Sequence, residues 1–156
     1  KAPFFDRYAS DIAAIYNESW PGLAELNHAL LILFLRLLGI ETPVVRMSDY
    51  AFEGEKSDLV QNMCTSLGAD IYIFGEQGRG YADTNSFMQA GVVPYFQTYN
   101  HPVYPQQYGP FEPYLSVVDL LFNCGPESLS ILLSGNIKRA ELEQDAELQR
   151  ESFVVL

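Results

Sequence analysis

The chain has 156 residues, 48% of them apolar and 19% charged, with a formal net charge of −11. That length supports one packed core, and that balance excludes a disordered chain. Twenty acidic residues against nine basic ones argue against a partner made of nucleic-acid phosphate or an anionic membrane surface, because both need clustered cations.

The spacing of Phe5, Tyr8, Ile12 and Ile15 predicts a helix from Phe4 to about Tyr16, broken by Pro21 and Gly22. A second helix is expected over Leu23 to Leu38. It is apolar nearly all round, through Leu26, Leu30, Leu33, Phe34 and Leu37, so burial on most sides is expected. Gly39 is its stop. The apolar run is interrupted by Arg36 and is too short to span a bilayer. "TPVVRM" then reads as a short β-branched strand. "EGEKSDLVQNMCTSLG" reads as a helix, "ADIYIFG" as a strand, "YADTNSFMQAG" as a short helix with Asp83 or Thr84 as N-cap, and "VVPYFQTY" as a third strand with Pro94 hinting at an edge or bulge. This order predicts an α/β fold, a parallel β-α-β-α-β core with N- and C-terminal helices packed around it. Two further helices, "YLSVVDLLFN" and "PESLSILLS", follow a loop rich in proline and tyrosine, and a charged helix with an apolar tail closes the chain. The domain division expected is 1–136, an α/β domain, and 137–156, a charged helix and tail. Cys64 and Cys124 sit in apolar helical contexts without metal-like spacing and read as buried free thiols of a reducing compartment. The chain opens on Lys1 rather than Met, which raises the expectation that it starts inside a longer product.

Ligands of open α/β sheets bind beyond the carboxyl ends of the strands. The segments there are Ser48 to "EGEKS", "GEQGRGYAD", and Tyr99-Asn100-His101 with the loop behind it, and they are expected to share one rim. The glycine turn offers backbone donors, and Arg79 adds a fork of donors for a phosphate or carboxylate. It matches neither a dinucleotide nor a Walker pattern, so a plain tight turn with a solvated arginine is equally consistent. Lys56 opens a helix against the macrodipole preference. It either meets a bound anion or pairs with Glu53 or Glu55. His101 either exchanges protons or fixes the loop by bonding backbone. Tyr81, Tyr104 and Tyr108 suit stacking on a sugar or base, or cover an edge with their hydroxyls wet. Neither a His/Cys metal set nor a Ser-His-Asp arrangement is evident, so no metal is expected.

"KAPFFDRY", "GEKSDLVQNMCTSLGADIYIFGEQGRGYAD", "FMQAGV" and "HPVYPQQYGPFEPYLSVVDLLFNCGPES", in that order, resemble the WbqC-like protein family over roughly residues 1 to 133. The resemblance implies a bacterial, cytoplasmic role around nucleotide-activated sugars in O-antigen or other surface-polysaccharide synthesis. It also implies attachment of an aminoacyl or acyl group to an amino sugar, with ATP or a nucleotide sugar as cofactor or substrate. On that reading His101 acts as general base, Arg79 and Lys56 hold anions, and Tyr81, Asp83, Tyr104, Gln106 and Tyr108 line the substrate site. The family's Gln-Pro-Tyr-Phe-Pro-type opening is absent, so an open sheet edge is expected unless another chain or a second copy, as in a homo-oligomer, covers it. Phe74 and Glu76 stand where the family usually has Ser and Pro. The rival reading is a non-enzymatic binding or scaffold protein of the same process, or a fragment without activity of its own.

Overall fold

The computed structural model describes residues 1–154, so the end of the expected apolar tail, Val155 and Leu156, lies outside the described residues. The chain is α/β and falls into two compact units, Lys1–Pro43 with Asn100–Asn136, and Val44–Tyr99 with Ile137–Leu156.

The first unit is helical. α1 (Phe5–Asn17) and α2 (Leu23–Leu38) form where the apolar spacing places them. Trp20 Nε1 donates to the Ile15 carbonyl at 2.8 Å, which also accepts the Glu18 N–H at 3.4 Å, so one carbonyl at the end of α1 is doubly satisfied. Gly39, at φ 73°, closes α2 in the left-handed conformation that costs glycine least. α5 (Val117–Cys124), capped by Ser116, and α6 (Ser128–Ser134) follow the loop. Gly125 lies between them at φ 54°, where an added Cβ would come within 2.5 Å of the Phe4 ring. Buried Tyr104, Leu120 and Cys124 pack with Phe111, Ile131 and Leu132. The Phe4 N–H donates to the Phe122 carbonyl at 2.9 Å and ties the start of the chain to α5.

α2 departs from the expectation of all-round burial. Leu33 is buried, but Leu23, Leu31 and Ile32 are 71%, 45% and 44% exposed. A helix packed on one neighbour buries one stripe whatever its other faces carry, and the main neighbour here is α1.

The second unit holds the sheet. β1 (Ile71–Gly75) and β2 (Val93–Gln97) pair in parallel, in register from Ile71 with Val93 to Gly75 with Gln97. α3 (Lys56–Ser66) precedes β1, α4 (Thr84–Gln89) connects the strands, and α7 (Arg139–Val154) packs against β2. The aromatic core is Phe74 and Phe87, with Cys64 and Val92, and Tyr72 and Phe96 at its margin. The expected first strand is not there. Among the described residues the sheet has two strands, and "TPVVRM" runs without regular structure into a 3-10 turn at Met47–Asp49. Val44 and Val45 are 36% and 53% exposed. β-branched composition fits a pleated, half-buried surface, and without a buried face or a ladder partner it does not make a strand.

One 18-residue window within Val117–Phe153 is apolar enough for a membrane span by composition. That stretch is divided among α5, α6 and α7, of 8, 7 and 16 residues, each shorter than the roughly 20 residues a span requires.

Cys64 and Cys124 are both free and buried, and burial raises both thiols above their ordinary range. Since the thiolate is the nucleophile, iodoacetamide at about pH 8 is expected to label neither in the native chain and both in denaturant. Intact-mass measurement checks this, and rapid native labelling would contradict the packing.

Candidate functional site

The parallel register sets the carboxyl ends of β1 and β2 side by side, so Glu76 and Thr98 meet. Thr98 Oγ1 donates to Glu76 Oε2 at 2.8 Å, and Arg79 Nε donates to Glu76 Oε1 at 3.0 Å. These two bonds, Thr98 first, hold the Glu76 carboxyl below its usual range. The Arg79 guanidinium carbon sits 4.7 Å from the centroid of the Phe96 ring, within cation–π range. Arg79 is thus fixed on one edge and one face, while Nη1 and Nη2 donate to no protein group among the described residues.

The turn that carries it, a 3-10 segment at Glu76–Gly80, requires glycine at its centre. A Cβ on Gly78 would approach the Phe74 ring to 2.6 Å, so the turn lies directly on the aromatic core.

Arg79 lines a cleft of about 560 Å³, whose floor is Pro94, Tyr95 and Phe96 of β2 and whose walls come from α4 and α7. That volume is in the range of small-molecule sites. Of the other residues expected in this unit, none lines that cleft. Asp83 caps α4, its Oδ1 accepting from the Ser86 N–H at 3.1 Å, while its own N–H donates to Ser57 Oγ at 2.9 Å. Lys56 is exposed at the start of α3, at φ 52°. Tyr81 is exposed, its ring edge-on to Phe74 at 6.0 Å.

His101, Tyr104, Gln106 and Tyr108 belong to the first unit. The Tyr114 N–H donates to His101 Nε2 at 3.2 Å, and Nδ1 lies 2.9 Å from the Pro102 carbonyl. An Nε2 that accepts assigns the proton of the neutral ring to Nδ1, which donates to that carbonyl. The imidazole therefore ties two points of the loop and holds Tyr114, a non-glycine residue at φ 61°. Tyr104 is buried and donates from its hydroxyl to Asp119 Oδ2 at 3.0 Å. Gln106 Nε2 donates to the same oxygen at 3.0 Å and to the Glu112 carbonyl at 2.9 Å, and Gln106 Oε1 accepts from the Glu112 N–H at 2.8 Å. Burial, ahead of its hydrogen-bond partners, raises the Tyr104 hydroxyl above its ordinary value. Gln106 and Tyr108 line a second cavity, of about 450 Å³, with Asp119 and Phe122 of α5.

Two features were not legible as site features. Asp119 is the hub of the loop's polar bonds, with partners 13 and 15 residues away that no local motif reports. The α7 wall of the Arg79 cleft carried no motif at all.

The family profile of the WbqC-like proteins matches residues 1–131. The chain belongs to the WbqC-like protein family. It is also 34% identical over 129 residues to the uncharacterized protein Rv1507c of Mycobacterium tuberculosis. That match covers 81% of this chain and 56% of the relative, so this WbqC-like chain spans about half the relative's length. No solved structure matches it significantly. α7 begins after the family segment ends.

Proposed function

We propose that this WbqC-like chain handles a nucleotide-activated sugar in the cytoplasm of a bacterium, in surface-polysaccharide synthesis. The observation that carries this reading is Arg79. It pairs with Glu76 and lies over the Phe96 ring at the carboxyl ends of two parallel strands, with two guanidinium nitrogens left for an anion. A guanidinium held in this way matches a phosphate oxygen pair, and Tyr95 on the floor suits a ring. The reaction class is amide formation. The amine of an amino sugar attacks the acyl carbon of an ATP-derived acyl phosphate, the C–N bond forms, the C–O bond to phosphate breaks, and the amine proton passes to a base.

Arg79→Ala is expected to weaken binding of uridine diphosphate roughly 10- to 100-fold, measured by calorimetry. Equal binding by both proteins would remove Arg79 from the site. A second reading, a non-enzymatic scaffold, is favoured by the exposed Leu31 and Ile32 of α2. It gains if neither protein binds any nucleotide.

A further inference from the structure

The wall of the Arg79 cleft formed by α7 has its own chemistry. Asp145, Leu148, Gln149 and Ser152 line the cleft. Their spacing of i, i+3, i+4 and i+7 puts them on one helical stripe. The helix is held independently of that stripe. Ala146 is buried to 1% exposure, and Arg150 Nη2 donates to the Asp70 carbonyl at 3.1 Å. Gln149 Nε2 donates to Asp145 Oδ2 at 2.7 Å. That bond turns the amide's donor end inward along the helix. It leaves Asp145 Oδ1 and Gln149 Oε1 as acceptors that take no hydrogen bond from protein among the described residues. One boundary of the cleft therefore supplies donors, from Arg79, and the other supplies acceptors and negative charge, from α7.

We propose that α7 is the specificity wall of this cleft. Asp145 and Gln149 select ligands that bring hydroxyl or ammonium donors to α7 while an anionic group sits on Arg79, and they reject ligands that bring a second carboxylate. The rejection follows from charge. A carboxylate brought to Asp145 meets a like charge and leaves both acceptors unpaired, whereas an ammonium or hydroxyl pairs with them. α7 lies beyond the matched family segment. The inference rests on the reading of Arg79 as the anion holder.

The test is calorimetric titration of the full chain with uridine diphosphate, UDP-glucosamine and UDP-glucuronate, for the wild type, Asp145→Asn and Arg79→Ala. The wild type is expected to bind UDP-glucosamine about tenfold or more tighter than UDP-glucuronate. Asp145→Asn is expected to narrow that preference to about threefold or less, chiefly by relieving the repulsion of UDP-glucuronate. A preference absent from the wild type, or unchanged in Asp145→Asn, overturns the specificity wall and leaves the Arg79 reading standing. Uridine diphosphate bound equally by wild type and Arg79→Ala, or by neither, overturns the Arg79 reading and this inference with it.

Discussion

Phe74→Ala is expected to lower the stability of the unit that holds the sheet by about 3–5 kcal/mol, among the largest losses from one side chain in this chain. Phe74 is 2% exposed. Its ring meets Tyr72 edge-on at 4.6 Å and Phe87 at 5.4 Å, and stacks on Phe96 at 5.1 Å. Truncation removes the transfer free energy of a phenyl ring and opens a cavity that strands β1 and β2 cannot collapse into without losing their ladder. The cavity would open directly beneath Gly78, which rests on the same ring. The turn that holds Glu76 and Arg79 would lose its support, so weaker binding of uridine diphosphate is expected alongside the lost stability. Phe74→Leu, which keeps most of the volume, is expected to cost about 1–1.5 kcal/mol. Urea titrations followed by circular dichroism measure both. A loss under about 1 kcal/mol for Phe74→Ala would show that the aromatic core repacks and does not depend on this ring.

The same residue shows what sequence could and could not convey. β1 was legible because "ADIYIFG" joins β-branched and aromatic residues to a glycine stop, and its ladder with β2 makes that local preference real. "TPVVRM" has similar composition and formed no strand, because strand formation needs a partner and a buried face that composition does not report. The helices from Leu23 to Leu38 and after Pro126 were legible from period and punctuation, but the exposure of α2 was not, since an apolar pattern states what a helix can bury and not what is beside it. Asp83 was readable as a cap, because capping acts over three residues. The Glu76–Thr98 bond spans 22 residues and follows only from strand register. The α7 wall is further still in sequence, since Asp145 and Arg79 share a cleft only once α7 has packed on β2.

Asp119→Ala is expected to destabilise the other unit by on the order of 3 kcal/mol, through orphaned donors rather than lost volume. Its Oδ2 accepts from the Tyr104 hydroxyl and from Gln106, and its Oδ1 accepts from Asn123 Nδ2 at 2.9 Å. Gln106 keeps its pair of bonds with Glu112, and Asn123 keeps the Asp119 carbonyl at 2.8 Å. Tyr104, at 6% exposure, donates to no other group among the described residues, so its hydroxyl bears most of the penalty. Tyr104→Phe should therefore cost only about 1 kcal/mol, and the double substitution should cost less than the sum, because no buried hydroxyl is left over. The pH dependence supplies a second check. The hydroxyl of Tyr104 is raised above its ordinary value of 10.0, first by burial. A group whose folded-state pKa is raised contributes stability that is complete below its unfolded pKa and is lost as pH climbs toward the folded value. Stability of the wild type should thus hold up to about pH 10 and decline above it, and the decline should be shallower in Tyr104→Phe. Denaturation of the two proteins across that window isolates the one hydroxyl. An additive double mutant with an unchanged alkaline slope would mean that the Tyr104–Asp119 bond does not organise the proline and tyrosine loop.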